Sequence, residues 1–284
     1  MNPIKTYRLS ALWYRALCVE RLPRQLIEPW VRRPRELLAA ARDPVPKASC
    51  FLAEISPEVS PVFVKRHRRS GWKTVADQLS GRPTRARRGF DVGLALERAR
   101  VHAARPLAAI ERRLPGESYL LLDRVTGLDL RCYLEEKLPR ISGESEQQRF
   151  KAELWQVLGE TIARFHAAKV RQPDLKAPNI MVDDSGEVPR AVLVDLEGMH
   201  ALSRLPTPKQ RARDLGRLAV SLRAPALRRA GVEPADWEML LQHYLEASRA
   251  AFPVSGDLHD WLGATLDWAR RKEAPLVRRG QEIY

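Results

Sequence analysis

Cysteine is scarce in this chain. The 284 residues contain three cysteines, Cys18, Cys50 and Cys132, and these lie far apart. No Cys-x-x-Cys or Cys/His spacing of the kind used by zinc sites is present. The sequence therefore excludes a disulfide-stapled scaffold and a cysteine-based metal centre, and the simplest interpretation is a reducing, cytoplasmic compartment.

Long apolar runs are also missing, since no segment approaches the roughly 18 apolar residues of a membrane span. The run from Leu9 to Val19 is interrupted by Arg15 and lacks a small-residue cleavage site, so it is a poor signal peptide. Residues 1–45 are predicted to form an N-terminal helical extension punctuated by prolines. This extension could contact a membrane surface through a basic amphipathic face, or it could cap a lobe.

The composition favours a folded protein with anionic partners. Hydrophobic residues make up 44% of the chain and charged residues 30%, which allows one large domain or two lobes. The 49 basic and 35 acidic residues give a formal net charge of +14. Such a charge favours nucleotides, phospholipid head groups or lipopolysaccharide phosphates. Nucleic acid is the least favoured partner, because the basic segment between Lys65 and Arg105 lacks interleaved aromatic residues.

The segment from Gln172 to Gly198 contains the most informative pattern. Two apolar runs, Asn179–Val182 and Ala191–Val194, flank the turn sequence Asp-Asp-Ser-Gly. They predict a β-hairpin in which Asn179 opens one strand and Asp195 closes the other. The two side chains should therefore lie side by side.

The chemistry of these side chains points to phosphoryl transfer. An amide oxygen from Asn179 and a carboxylate from Asp195 suit Mg²⁺, which prefers oxygen ligands and retains substrate phosphates in its shell. Asp174, on the loop that leads into the hairpin, supplies a second carboxylate that can accept a proton from an alcohol. Lys176 lies on the same loop. The alternative is a surface hairpin with ordinary turn carboxylates.

The N-terminal half supplies candidates for nucleotide binding. Cys50–Ile55 and Val62–Arg66 predict a second hairpin, and Lys65 near its end is typical of a lysine that pairs with ATP phosphates. A helix is predicted from Arg85 to Arg100. Glu97 on this helix is the candidate partner of Lys65, and Asp91 is the competing candidate.

Further helices are predicted in the C-terminal half. They cover Phe150–Lys169, Gln210–Leu222, Pro234–Phe252 and Leu258–Lys272. Asp214 could bind the backbone of the loop at Asp174, or it could simply favour the helix dipole. The segment Tyr119–Gly127 is predicted to be a buried strand followed by the connection between two lobes.

Taken in order, these motifs resemble the bacterial lipopolysaccharide kinase family, which includes Kdo and heptose kinases. The matching pieces are Val62–His67, Arg87–Glu97, Arg105–Arg113, Leu158–Ala167, Asp174–Asn179, Val194–Gly198 and Arg211–Leu215. The resemblance implies an α+β, protein-kinase-like fold with two lobes. The small β-rich N-lobe is expected at residues 46–126 and the larger helical C-lobe at residues 127–284.

The resemblance also implies an activity, a cofactor and a location. The activity is ATP-dependent phosphorylation of a sugar hydroxyl in the lipopolysaccharide inner core. The enzyme would be cytoplasmic, either free or peripheral on the cytoplasmic face of the inner membrane, with a core glycan or another anionic glycolipid as its partner.

Each candidate residue then takes a role. Asp174 and Lys176 are the catalytic candidates. Lys65 and Glu97 would bind ATP, and Asn179 and Asp195 would bind Mg²⁺ and the nucleotide.

Three features depart from the kinase pattern. Gln172 replaces the usual histidine two residues before Asp174, the stretch Asp43–Ser49 contains no glycine, and Glu197 lengthens the metal-binding segment by one residue. Two other functions therefore stay open. One is a kinase that acts on another small molecule or a protein, and the other is a degenerate kinase-like scaffold.

Overall fold

The computed structural model describes residues 4–41, 49–56, 60–68, 82–113 and 116–278. The chain forms two compact units. The first comprises Met1–Arg98 and Ala104–Arg124, and the second comprises Ala99–Ala103 and Val125–Tyr284. The glycine-free stretch Asp43–Ser49 lies almost entirely outside the described residues, as do residues 69–81 of the basic segment between Lys65 and Arg105.

The first unit is built on a six-stranded antiparallel sheet. Its strands are β1 (Thr6–Ser10), β2 (Tyr14–Val19), β3 (Cys50–Ala53), β4 (Val62–Arg68), β5 (Pro106–Arg112) and β6 (Glu117–Leu122). Their order in the sheet is β1-β2-β5-β6-β4-β3. Helix α1 (Arg24–Arg32) follows β2, and helix α2 (Arg85–Arg98) packs against β5 and β6.

The prediction of helical structure at the N-terminus was wrong for residues 6–19. These residues form the β1–β2 hairpin, which joins the sheet through β5. In β2, Tyr14, Ala16 and Cys18 are buried, whereas the intervening Arg15 is exposed. This alternation has the period of a strand and not of a helix. The helical prediction is confirmed for Arg24–Arg32, which form α1, and for the 3₁₀ turn Pro34–Leu38. Residues 1–3 and 42–45 of the predicted extension lie outside the described residues.

The predicted hairpin around Lys65 is confirmed. Strands β3 and β4 pair antiparallel, and Lys65 lies opposite Cys50 on one side and Leu120 on the other. The predicted strand at Tyr119 is also present as β6, and all its residues except Glu117 are buried. Lys65 therefore projects from a strand held between two neighbours.

The second unit is largely helical. Its helices are α3 (Leu130–Lys137), α4 (Glu144–Ala167), α5 (Pro208–Leu222), α6 (Pro225–Arg229), α7 (Pro234–Ala251) and α8 (Leu258–Arg278). Its short strands are β7 (Leu128–Asp129), β8 (Val170–Arg171), β9 (Ile180–Asp183), β10 (Arg190–Leu193) and β11 (His200–Ala201).

Helices α4 and α7 pack closely at Gly159. A side chain there would lie 2.7 Å from the backbone nitrogen of Tyr244, so only glycine permits this approach. Trp155 on α4 donates its indole N–H to Asp236 on α7 at 3.0 Å. The pair α5 and α8 forms the other main helix contact of this unit. Together these helices support the loops that hold the polar residues.

The predicted hairpin from Asn179 to Val194 is confirmed. Strands β9 and β10 pair antiparallel, with Ile180 opposite Leu193. The backbone N–H of Val194 donates to the carbonyl of Asn179 at 3.0 Å, which extends the ladder by one residue. Asn179 and Asp195 are thereby brought to the same end of the hairpin.

Among the described helices, none combines the length and the apolar character needed to cross a bilayer.

Candidate active site

The carboxylate of Asp174 lies between two cations. Lys176 Nζ is 3.0 Å from one carboxylate oxygen, and Arg217 Nε donates to the other at 2.9 Å. Lys176 comes from the same loop, whereas Arg217 comes from α5. The Asp174 side chain remains half exposed while the Arg217 side chain is largely buried, at 50% and 13%. Asp174 therefore presents a fixed carboxylate to solvent.

The two cations keep Asp174 ionised. Partial burial alone would raise the pKa of its carboxyl group, because burial disfavours the charged form. The hydrogen bonds and positive charges of Lys176 and Arg217 outweigh burial, so the pKa is lowered from its ordinary value. Asp174 is thus a carboxylate throughout the neutral range.

Asn179 is oriented by the same loop. Its side-chain nitrogen donates to the backbone carbonyl of Asp174 at 2.9 Å, which ties the strand opening to the loop. This bond uses the amide nitrogen, so the amide oxygen is the atom available to a cation.

Asp195 adopts the left-handed backbone conformation, with φ 61° and ψ 44°. Aspartate and asparagine tolerate this region better than most residues, and strain of this kind concentrates at functional sites. The conformation ends β10 abruptly and begins a 3₁₀ turn at Leu196–Gly198. Glu197, the extra residue of the segment, lies within this turn.

Gln172 bridges the loop and the hairpin. Its side-chain oxygen accepts from the backbone N–H of Asp174 at 3.3 Å, and its amide nitrogen donates to the carbonyl of Asp195 at 3.4 Å. The residue is fully buried. Because an amide supplies one acceptor and one donor, Gln172 can link the two segments in place of a histidine.

Gly198 allows the turn to close over Asp195. A side chain at this position would lie 2.8 Å from the Asp195 carboxylate and 3.4 Å from the Gln172 amide. Any larger residue at this position would therefore displace the Asp195 carboxylate.

Asp214 holds the loop at Gln172 through hydrogen bonds. Its carboxylate accepts from Arg171 at 2.7 Å and from the backbone N–H of Gln172 at 3.0 Å, and it is fully buried. Of the two roles considered for Asp214, the loop-binding one is observed. His166 Nε2 lies 3.7 Å away. Burial lowers the pKa of His166, although the Asp214 carboxylate acts in the opposite direction.

Helix α5 supplies two further residues that the sequence analysis missed. Arg217 pairs with Asp174, and the Ser221 hydroxyl accepts from the backbone N–H of Ala177 at 2.9 Å. Together with Asp214, these residues stand at positions i, i+3 and i+7, so they share one helix face. Three polar residues at this spacing in the otherwise apolar stretch from Asp214 to Leu222 were the signal available in the sequence.

Lys65 and Glu97 lie in the first unit. Lys65 is buried on β4, with 8% of its surface exposed. Glu97 on α2 accepts a hydrogen bond from Arg21 at 2.7 Å, and its other carboxylate oxygen is buried without a hydrogen-bond partner among the described residues. Asp91, the competing candidate, pairs with Arg87. The pairing of Glu97 with Lys65 stays a prediction.

The second unit offers oxygen donors that fit Mg²⁺. Within the ranges that the structure describes, no group of three or more His, Cys, Asp and Glu side chains could hold a metal ion. Magnesium does not require such a cage, since it commonly uses one or two protein oxygens together with substrate phosphates and water. The amide oxygen of Asn179 and the carboxylate of Asp195, at one hairpin end, form a donor set of that kind.

Comparison with known families shows the family of this chain. Residues 51–244 match the sequence model of the lipopolysaccharide kinase (Kdo/WaaP) family. The chain belongs to this family. The matched region contains Lys65, Glu97, Asp174, Asn179 and Asp195, and it also includes Gln172, Asp214 and Arg217.

Curated relatives in the family are similar over part of their length. The chain is 30% identical over 164 residues to the 3-deoxy-D-manno-octulosonic acid kinase of Xanthomonas oryzae pv. oryzae, covering 57% of this chain and 59% of that protein. It is 34% identical over 122 residues to the enzyme of the same name from Vibrio parahaemolyticus, covering 42% and 43%. The matches thus span about 60% or less of these relatives.

A solved structure shares the fold over a greater length. The chain resembles WaaP, solved in complex with acyl carrier protein, with a TM-score of 0.61 at 19% identity. The likeness covers 90% of this chain and 98% of that one. Together with the family match, it confirms the predicted α+β, protein-kinase-like fold with a β-rich N-terminal part and a helical C-terminal part.

Proposed function

We propose that this protein is an ATP-dependent kinase that phosphorylates a sugar hydroxyl of the lipopolysaccharide inner core. The observation that carries the proposal is the Gln172-linked cluster of Asp174, Asn179 and Asp195, held together in the region that matches the family. Kinase chemistry needs a proton acceptor, oxygen ligands for magnesium and cations near the transferred phosphoryl group. Asp174, the oxygens of Asn179 and Asp195, and Lys176 are the second unit's candidates for these three parts.

Asp174 is proposed to orient the acceptor hydroxyl and to take its proton as the oxygen attacks the γ-phosphorus of ATP. The new phosphate ester forms as the bond to the ADP oxygen breaks. Lys176, 3.0 Å from Asp174, is proposed to offset the negative charge on the transferred phosphoryl group. The pairing of Arg217 with Asp174 supports the role of Asp174 as proton acceptor, because it holds the carboxylate ionised and in place.

Asn179 and Asp195 are proposed to hold Mg²⁺. The ion would neutralise charge on the ATP phosphates. Lys65 and Glu97 are proposed to contribute to ATP binding from the first unit. The burial of Lys65 on β4 supports a fixed position for its ammonium group. Glu97 is proposed to pair with Lys65, and one of its carboxylate oxygens already accepts from Arg21.

The acceptor is proposed to be Kdo or heptose of the inner core. The relatives named 3-deoxy-D-manno-octulosonic acid kinase support Kdo as the first choice. A glycolipid acceptor would place the enzyme in the cytoplasm, in peripheral contact with the inner membrane.

A matched set of acceptors tests the proposal. The full chain is incubated with Mg-ATP labelled at the γ-phosphate and with inner-core acceptors that end in Kdo, end in heptose, or lack both sugars. We expect label to pass to one of the first two and not to the third. Saturable Mg-ATP binding without transfer to any acceptor would contradict the proposal and favour a degenerate scaffold.

Replacing Asp195 by Asn should raise the Mg²⁺ concentration needed for half-maximal turnover by at least about tenfold, since ligand environments of metals carry effects of this size. Asn tolerates the left-handed conformation at φ 61°, so the backbone should be preserved. A titration of turnover against Mg²⁺ measures the effect. Asp267→Asn, at an exposed side chain, is the control. An unchanged magnesium requirement in Asp195→Asn would exclude Asp195 as a magnesium ligand.

Replacing Arg217 by Gln should shift the acid limb of the pH–rate profile to higher pH. Arg217 is one of the groups that lower the pKa of Asp174, so its loss lets that pKa rise. A proton acceptor must be ionised, and the variant therefore loses activity at a higher pH than the wild type as the solution is acidified. The measurement is kcat/KM against pH. Arg213 is an exposed residue of the same helix, and Arg213→Gln should leave the acid limb of the pH–rate profile at the wild-type pH.

A further inference from the structure

We propose that the tip of the β1–β2 hairpin and the arginines around it form a surface that binds an anionic phospholipid bilayer. This surface, called the tip surface, comprises Leu12 and Trp13 together with Arg15, Arg33, Arg35 and Arg112. It extends the proposed function, because a glycolipid acceptor would lie in a membrane. The observations that carry it all come from the first unit.

The two apolar residues at the tip are strongly exposed. Leu12 is 79% exposed and Trp13 is 55% exposed, and they are adjacent in sequence. Other large exposed apolar side chains, Val188 and Leu205, belong to the second unit and stand singly. Scattered single residues need no explanation, whereas a leucine and a tryptophan together at a loop tip suit the interface between head groups and acyl chains.

The backbone holds these two side chains outward. The N–H of Arg113 donates to the carbonyl of Trp13 at 2.8 Å, and its Nε donates to the carbonyl of Ala11 at 3.2 Å. The N–H of Ala11 donates to the carbonyl of Tyr14 at 2.8 Å, and Tyr14 itself is buried. The hydrogen bonds of this turn therefore fix the backbone that exposes Leu12 and Trp13.

Arginine-lined cavities flank the tip. One, of about 480 Å³, is lined by Arg15, Arg82, Arg87, Arg112 and Arg113 with the carboxylates of Asp91 and Glu111. The other, of about 390 Å³, has Trp13 in its wall and contains Arg32, Arg33, Arg35 and Arg112 with the carboxylate of Glu36. Positive charge thus exceeds negative charge in both cavities, which suits phosphate groups.

Existing ion pairs leave these arginines accessible. The side chains of Arg15, Arg33 and Arg35 are 65%, 77% and 65% exposed, although each lies near a carboxylate. The Arg33–Glu36 pair is exposed on both sides and is therefore weak, so lipid phosphates can compete for Arg33. Arg15 and Arg35 pair with the largely buried carboxylates of Glu111 and Glu117, and the remaining N–H groups of their exposed guanidinium groups can donate to a lipid phosphate. The combination of an apolar tip and surrounding cations matches a lipid surface, which offers a phosphate layer above an apolar interior.

Vesicle flotation of the full chain tests this inference. Wild type is expected to float with vesicles of phosphatidylglycerol and phosphatidylethanolamine, and to remain largely free with vesicles of phosphatidylcholine alone. These vesicles contain no acceptor, so binding is measured apart from turnover.

Two variants examine the two parts of the surface. Leu12→Ser with Trp13→Ser should reduce the bound-to-free ratio at least about tenfold, as expected for removing two interfacial anchors. Arg33→Glu with Arg35→Glu should reduce it at least about fivefold per residue at low salt, because each basic residue near an anionic surface contributes about this factor. Val188→Ser, and Arg149→Glu with Arg270→Glu, are the matched controls from exposed sites in the second unit.

The outcomes separate the inference from the proposed function. Weakened flotation of the tip variants, with turnover on a soluble acceptor unchanged, supports the lipid surface. Unchanged flotation of the Leu12→Ser/Trp13→Ser variant, or equal loss in the controls, overturns it. Failure of wild type to bind anionic vesicles also overturns it, even when the enzyme phosphorylates its acceptor.

Discussion

Asp174→Asn should lower kcat by about 10³-fold while the protein remains folded, which is within the usual range for loss of a positioned acid–base group. Asn keeps the shape of the side chain but cannot accept a proton. The wild-type carboxylate is held by Lys176 at 3.0 Å and by Arg217 at 2.9 Å, so a substituted amide stays near the same position but without the charge.

The variant should change stability little. The Asp174 side chain is half exposed, and its pair with Lys176 contributes at most about 1 kcal/mol. The amide oxygen of Asn can still accept from the largely buried Arg217, so that cation keeps a hydrogen-bond partner. Single-turnover measurements with saturating acceptor separate chemistry from binding. Asp184→Asn, at a 40% exposed side chain in the β9–β10 turn, is the control and should retain activity. A kcat for Asp174→Asn within about tenfold of wild type would show that Asp174 is not the proton acceptor.

Asp214→Ala should destabilise the protein by about 3–5 kcal/mol, the usual cost of removing one partner from a buried charge pair. The carboxylate is fully buried and accepts bonds from Arg171 and from the backbone of Gln172. Its loss leaves a buried guanidinium and a buried N–H without their acceptor.

Urea unfolding of the full chain, followed by far-ultraviolet circular dichroism, measures this effect. Turnover should fall as well, because the loop from Gln172 to Asp174 loses its support. Asp184→Ala is the control and should lie within about 1 kcal/mol of wild type, since its pair with Lys137 is exposed. A similarly small change in Asp214→Ala would show that the loop is held by other contacts.

Residues close in sequence could be located from the sequence because local pairing fixes them. The turn Asp183–Gly186 sets the β9–β10 register, and this register alone brings Asn179 to the end occupied by Asp195. The same reasoning located Lys65 on β4, since the apolar alternation on either side of the turn predicted the hairpin.

Contacts between distant segments were harder to predict. Arg217 reaches Asp174 across 43 residues, and no local pattern at either residue reveals the pair. Glu97 illustrates the same limit, because its partner Arg21 lies 76 residues away in a segment that was predicted as a helical extension.

One local pattern was misread, and one departure from the kinase pattern gains a structural explanation. The two strands of residues 6–19 alternate between buried and exposed residues, but the apolar Leu12 and Trp13 at the turn between them interrupt this pattern. Apolar residues at an exposed turn resemble part of a helix face, so the segment was predicted to be helical. Gln172 was treated as a departure from a histidine. In the structure its amide supplies both the donor and the acceptor that join Asp174 to Asp195.

The most direct test of the account is to locate the phosphate on the product. After incubation of the full chain with Mg-ATP and an inner-core acceptor, fragmentation mass spectrometry identifies the sugar that has gained mass. The account predicts one added phosphate on a Kdo or heptose hydroxyl. Hydrolysis of ATP with an unmodified acceptor, or phosphate found only on the protein, would contradict it.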